Sequence, residues 1–427
     1  MKIRKIFQLF AAACVCMASL SPVYTQTKGP RQETLLNGLK VYIWNDPSAP
    51  TVSVKLRVHS GSSFDPQGKE GTMRMLSEAI FPSNEARQFF IDDLQGTFAL
   101  TSNYDYIQID TSGRSSDLIV LLETLANAVA NPQLDKETAD AVRSRVHSDL
   151  DGKLADPAYL ADRIASERLF GTFPYGRPEY GTKESLAKID FADLRFAYDR
   201  FFGADNASLT IRGDIQPDVA YRAARRFFGA WLKSDRRVPS TFKQPTAPDT
   251  SLQVMNLGAD SGAEVRHAAR GFSKADPLYP ASQILTEILD TRLKQHVARV
   301  APNAKASVRN EAYILPGQLV FSVSAISPEA KVKLYPAGDT VDARSLIPSL
   351  LADAISSSEF ERARANVLAS GGTEDLWLDS DTYRLTPLAS QPAKLGAVTL
   401  TDVQRLAGDV KARPAVSLWL VKGIGSN

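Results

Sequence analysis

Residues 188–215, KIDFADLRFAYDRFFGADNASLTIRGDI, are echoed at 397–424, AVTLTDVQRLAGDVKARPAVSLWLVKGI. At an offset of 209, Asp193 falls on Asp402, Ser208 on Ser417 and Leu209 on Leu418. Each piece reads as an acid-capped helix, a short turn, an apolar strand and a glycine. LANAVA (125–130) and LADAIS (351–356) form a second pair, each followed by another helix. A unit repeated at the end of each half predicts a duplicated chain of two similar bodies.

The text between the repeats supplies mixed elements. Thr51–His59 alternates, with Val52, Val54, Leu56 and Val58 on one face and Ser53, Lys55 and Arg57 on the other, the period of a half-buried strand. Leu39–Ile43, Tyr106–Ser112 and Ala207–Arg212 read as further strands. Gly71–Ile80, Asp117–Ala130, Lys136–Leu150 and Pro157–Phe170 read as helices. Residues 231–250, with Pro239, Pro245 and Pro248 among Ser, Thr and Lys, read as a linker. The expected fold is α+β: two homologous lobes, 26–230 and 251–427, each an antiparallel-rich sheet with helices packed on one face.

With 427 residues, 44% of them hydrophobic, the chain can bury a large core. Its net charge is +2, and Lys2, Arg4 and Lys5 open the sequence, so the remainder is close to neutral and shows no sign of nucleic-acid binding. That basic start, the apolar run from Ile6 to about Leu20, and Val23-Tyr24-Thr25 read as an export signal over 1–25, cut before Gln26. The run is shorter than the ~20 residues of a spanning helix. Lipid attachment through Cys14 ranks second, because apolar residues continue past it. Cys14 and Cys16 are the only cysteines, so a cut there leaves neither disulfide nor thiolate ligand. The expected location is the periplasm or outside the cell. No later stretch is long and apolar enough to span a bilayer. G-x-S-x-G and G-x-x-x-x-G-K-[ST] are both missing, and no cofactor is expected.

Several segments, in order, resemble the pitrilysin/insulinase-type zinc metallopeptidases and their mitochondrial processing and cytochrome-complex relatives. GLKVYIWND (38–46) resembles the opening strand, and EGTMRMLSEAIF (70–81) the active-site helix. NPQLDKETADAVRSRVHSDL (131–150) resembles the helix after it, and PYGRPEYGTKESLAKIDFADL (174–194) the Pro-Tyr-Gly…Gly-Thr…Leu segment. ASLTIRGDI (207–215) resembles the strand that ends each lobe, and SQILTEILDTRL (282–293) the second-lobe helix. Active members carry His-x-x-Glu-His on the first helix and a Glu one long helix later. Two His four apart share a helix face and bind one Zn²⁺, beside a Glu that serves as general base.

The resemblance places Arg74 and Glu78 at the histidine positions, Ser77 at the general base and Asp149 near the distant Glu. The guanidinium of Arg74 stays charged and Ser77 is a poor base. An Arg74–Glu78 ion pair across the metal position is expected, adding little stability because Arg→Glu is the less favourable helical order. Weak metal contact through Glu78 and Asp149 is the lesser alternative. His59, His147, His267 and His296 contain no His-x-x-x-His and read as surface or strand histidines. The family's second-lobe Arg and Tyr, seven apart, fall near Ala298 and Lys305, or Arg299 and Ala306 one residue on. Tyr313 is too far downstream to replace the Tyr.

The resemblance implies half of a clamshell: a non-catalytic subunit that binds unstructured peptides and shapes a chamber with a zinc-bearing homologue, or with itself as a homodimer. The alternatives are a structural or binding protein of the cell envelope without a proteolytic role and, last, a peptidase with an unrecognised site.

Overall fold

The computed structural model of the protein describes residues 29–234, 242–256, 263–326, 343–370, 373–385 and 391–421. The expected export segment lies outside them, as do residues 235–241 of the expected linker.

The first half builds strands β1 (Arg31–Thr34), β2 (Lys40–Asn45), β3 (Thr51–Val58), β4 (Phe98–Ser102), β5 (Ile107–Arg114) and β6 (Ala207–Gly213). Its helices are α1 (Thr72–Ile80), α2 (Asn84–Asp92), α3 (Leu118–Ala130), α4 (Lys136–Leu154), α5 (Pro157–Phe170), α6 (Lys183–Leu186), α7 (Phe191–Phe201) and α8 (Pro217–Phe228). The second half builds β7 (Leu252–Asn256), β8 (Ala263–Arg270), β9 (Lys305–Glu311), β10 (Gln318–Ile326) and β11 (Ala415–Val421). Its helices are α9 (Tyr279–Val300), α10 (Ala343–Leu350), α11 (Ser357–Ala369), α12 (Thr373–Tyr383), α13 (Gln391–Gly396) and α14 (Leu400–Ala412).

Strand order repeats between the halves. One sheet runs β1-β2-β6-β3-β5-β4, the other β7-β11-β8-β10-β9. Without β1 they match strand for strand, each with one parallel pair (β2/β6, β7/β11) among antiparallel ones. The expectation of two α+β lobes is met. Local chemistry starts the repeated helices alike: Asp190 with Asp193, and Thr399 with Asp402, form capping boxes at α7 and α14.

The 209 offset holds for those helices and fails by one residue for the strands that follow. Leu209 belongs to the first core, whereas Leu418 packs on the opposite face of its sheet against Ala161. Strand side chains alternate, so a one-residue slip changes the face. The pairings of Ser208 with Ser417 and Leu209 with Leu418 are therefore corrected: Ala207, not Ser208, begins β6 as Ala415 begins β11.

Each sheet packs one face on its own helices. Val54, Leu56, Leu209 and Ile211 meet Leu76, Leu122, Val146, Leu194 and Phe228. Val265, Phe321 and Trp419 meet Leu285, Leu289, Phe360 and Leu406. The other face of each sheet is covered by a helix from the opposite half. Helix α5 lays Ala165, Leu169 and Phe170 on Ala268, Val320 and Val416, and Ala161 on Leu418 and Leu420. Helix α12 answers across the first sheet, where Asp375 pairs with Lys55 (2.9 Å) and Asp379 with Arg57 (2.7 Å). There Tyr42 Oη also donates to Asp381 (2.8 Å), and Trp377 packs against Tyr42.

The first lobe also runs past residue 230. Trp231, placed at the start of the linker by sequence, is 1% exposed, and its indole N–H donates to Phe202 O (3.0 Å). It closes the core beside Phe228.

Because each lobe's sheet is covered by the other's helix, a cut between the lobes should not separate them. A protease site engineered between Arg236 and Arg237, once cleaved, is expected to yield two fragments that co-elute in native size-exclusion chromatography and part only in denaturant. Separate elution under native conditions would contradict the exchanged packing.

Candidate functional site

Helix α1 starts from a tight, buried corner. Gly71 has φ +96, and a Cβ there would meet Leu186 Cδ2 at 2.8 Å and Tyr180 O at 3.1 Å. The Asp65 carboxylate accepts from the N–H groups of Gly71 (2.7 Å) and Met73 (2.8 Å) at the helix N-terminus. Burial nevertheless pushes its carboxyl up to about 7.

From this corner α1 carries Arg74, Ser77 and Glu78 toward α4, which carries Asp149, so the structure brings all four expected first-lobe positions together. Glu78 is 2% exposed, and its carboxylate meets three guanidinium groups: Arg74 at 2.7 Å, Arg87 of α2 at 2.6 Å and Arg145 of α4 at 3.5 Å. Arg74 also reaches Asp149 (3.4 Å) and lies 4.9 Å from the ring centroid of Tyr180. The Ser77 hydroxyl donates to Arg74 O (2.7 Å). The expected ion pair is present, as one of three on a buried carboxylate whose charge would be strongly unfavourable uncompensated.

The side chains do not fit a zinc ion. Among the described residues no three His, Cys, Asp or Glu side chains converge as a metal site. Glu78 and Asp149 are both engaged by Arg74, a permanent cation between the two carboxylates. His147 is on α4, two residues before Asp149, and the other three histidines lie elsewhere. His59 sits between Thr382 (2.9 Å) and Ser208 (3.1 Å), and burial pulls its ring down to about 4. His267 lies beside Ser417 (3.1 Å), and His296 is exposed. The Ser208–His59 contact is no hydrolytic pair: Ser208 is fully buried and itself donates to Asp381 (2.5 Å).

In the second lobe, Ala298 and Arg299 are exposed in the last turn of α9, and Lys305 and Ala306 begin β9. No tyrosine stands at either position. Farther along, Arg309 is held by Asp162 of α5 (2.8 Å) and by Ser322 Oγ (3.0 Å). Tyr313 contributes to the contact between the halves, its ring 4.6 Å from Tyr175 and 5.3 Å from Tyr104. Asp105 joins the same contact, accepting from Tyr175 Oη (3.3 Å) and Ile314 N–H (2.9 Å).

Sequence reasoning missed Arg87 and Arg145. Arg145 precedes Asp149 by four residues and so shares its face of α4, a signal that could have found it. Arg87 is directed by the α1–α2 turn, where it also donates to Phe81 O (2.7 Å), and no spacing rule reveals that.

Other proteins share this architecture. A protease from Helicobacter pylori superposes with a TM-score of 0.80 at 16% identity, over 92% of this chain and 99% of that one. A periplasmic protease of Escherichia coli superposes with a TM-score of 0.70 at 14% identity, over 93% of this chain but 48% of that one. The fold is thus that of a two-lobed peptidase body. Residues 40–182 match the family described as Insulinase (Peptidase family M16), and residues 188–367 its companion, Peptidase M16 inactive domain. The chain belongs to the M16, or insulinase, family of peptidases. An uncharacterized zinc protease of Mycobacterium bovis is 25% identical over 248 residues, 57% of this chain and 56% of that relative, so the match spans little more than half of its length.

Three outcomes are expected here. Glu78→Ala removes the carboxylate shared by three guanidinium groups, of which Arg74 keeps Asp149 and Arg87 keeps Phe81 O, and should cost about 3 kcal/mol in urea unfolding. Arg74→Ala leaves Glu78 two cations and should cost about 1–2 kcal/mol. The third concerns Glu179, whose carboxyl burial pushes up to about 8, with Glu311 and Asp105 adding to it. Between its ordinary range and about 8, the unfolded carboxyl is ionised while the folded one keeps its proton, so stability falls as pH rises. Glu179→Gln should therefore melt above the parent at about pH 9 and with it at about pH 4, by differential scanning calorimetry.

Proposed function

We propose that this chain is a non-catalytic M16 subunit that contributes half of a peptide-holding chamber and leaves cleavage to a zinc-bearing homologue. The observation that carries this reading is the engagement of Glu78 by Arg74, Arg87 and Arg145. Peptide hydrolysis of the family's kind needs neutral nitrogen ligands, a carboxylate base and a metal-bound water. Here the first ligand position holds a permanent cation, and the base position a hydroxyl whose hydrogen bond goes to its own helix. Such a site cannot gather the ion or activate the water.

The half-chamber is supported by length. Nearly all of this chain corresponds to 48% of the Escherichia coli protease. A second body of the same kind, a homologue or another copy of this chain, would complete the enclosure. The reading places the protein outside the cytoplasm, as the N-terminal sequence suggests. With a nearly neutral body, shape and apolar contact rather than net charge would drive pairing.

The test is co-expression with exported homologues from the same genome that keep His-x-x-Glu-His. A pair that co-elutes in size-exclusion chromatography and cleaves unstructured peptides faster than the homologue alone is expected. The chain by itself should bind well under one zinc in elemental analysis and show no chelator-sensitive cleavage. Homologues that elute separately, with unchanged activity, would leave only a structural role; one tightly held zinc per chain would overturn the reading of the site.

A further inference from the structure

Each lobe leaves a cavity at the same place, where the loop entering its first long helix meets the end of its exchanged helix and the last helix before its closing strand. In the first lobe these are the 63–66 loop, Phe170 and α7; in the second, the 274–278 loop, Arg384 and α14. The two cavities measure about 550 and 710 Å³. Duplication alone accounts for their existence, so any specific role has to come from the lining.

The first cavity is walled by aromatic rings in one continuous series. Phe64 packs on Phe201 (5.0 Å between centroids) and Phe242 (6.3 Å), Phe242 on Phe173 (6.0 Å), and Phe173 on Phe170 (5.9 Å). Phe242 comes from the strap 242–246, which Arg270 fastens by donating to Pro245 O (3.2 Å) and Thr246 O. At the rim stands Phe196, 58% exposed, which is unusual for so large an apolar side chain.

Charge at this cavity is one-sided. Of its acids, Asp65 spends both oxygens on Gly71 and Met73 N–H, and Asp193 is held by Lys69 (2.6 Å). The exposed rim cations Arg200 and Lys243 have no carboxylate partner among the described residues; Arg200 lies 5.7 Å from the ring of Phe196 and 5.6 Å from that of Phe201. The cavity thus combines an aromatic interior with positive charge at the mouth that no carboxylate among the described residues pairs. Its size suits one or two side chains rather than a folded partner. Thr172 and Gln244 add polar groups to the lining, which favours a peptide end over a plain alkyl chain.

We propose that this cavity binds the C-terminal end of a peptide whose last residue is aromatic, the ring entering among Phe64, Phe173 and Phe242 and the terminal carboxylate meeting Arg200 and Lys243. Ring-on-ring contact supplies the apolar part, and charge-assisted hydrogen bonds fix the end of the chain. The site is lined by this chain alone and needs no second subunit.

The test uses the whole mature chain and calorimetric titration with an unstructured pentapeptide ending in phenylalanine. Saturable binding is expected, weakened about tenfold when the carboxylate is amidated and at least about tenfold when alanine replaces the last residue. The double variant Arg200→Gln/Lys243→Gln should bind the free acid no better than the amide, with an unchanged melting temperature because both side chains are exposed. Phe196→Ser should weaken the phenylalanine peptide at the same unchanged melting temperature. Equal binding of acid and amide would overturn the proposal. So would N-acetylphenylalanine binding as tightly as the peptide, which points to a free aromatic acid, or oleate displacing the peptide at lower concentration, which points to a lipid. Because these titrations use the chain alone, they can fail while pairing with a homologue succeeds, and the reverse.

Discussion

Neither sheet can bury both faces with helices from its own half, and the crossing of α5 and α12 resolves this for both at once. The crossings use different chemistry. Helix α5 presents alanines and leucine to an apolar surface, with Asp162 reaching Arg266, which is 1% exposed. Helix α12 presents acids to Lys55 and Arg57 on the first sheet. The apolar crossing removes area from water without regard to direction. The ionic one is directional, since buried charges must meet partners in place. Together they fix the register of one lobe on the other, and features that draw on both halves depend on that register, including the Tyr104–Tyr175–Tyr313 contact and the strap that supplies Phe242.

At the candidate site, ion pairs join three helices. A metal in this fold would tie α1 to α4 through coordination bonds. Here Arg74 and Arg145 tie the same helices through Glu78 and Asp149, and Arg87 brings in α2. Ion pairs of this kind can hold helices together, but they consume the lone pairs that a metal would need. With three guanidinium groups around one buried carboxylate, building a metal site here would mean replacing residues on three helices rather than one.

Much of this was legible in the sequence where local rules govern. The alternation of Val52, Val54, Leu56 and Val58 gave β3, the reading of a helix from Pro157 gave α5, and the acids three residues into α7 and α14 marked their caps. The resemblance to the zinc metallopeptidases places Arg74, Ser77, Glu78 and Asp149, and helix spacing explains why two of them, Arg74 and Glu78, share a face. The strand pairing at the 209 offset failed because residue identity alone does not say which face of a sheet a serine or leucine occupies; one residue fewer from the start of α14 to the start of β11 reverses it.

The sequence by itself determined that the chain is duplicated and that each half mixes strands and helices, while its resemblance to the family assigned Arg74, Ser77 and Glu78 to the motif positions of α1. The first two are properties of spacing and residue type, carried by neighbours in the chain. Only the tertiary structure decided that α5 and α12 cross to the opposite lobes, that Arg87 and Arg145 join Arg74 on Glu78, and that Phe242 walls a cavity in the first lobe. Those contacts join residues far apart in the chain or across a turn whose direction is set by packing. An apolar or charged face fixes what kind of surface it needs, and the choice among such surfaces is made only when the whole chain comes together.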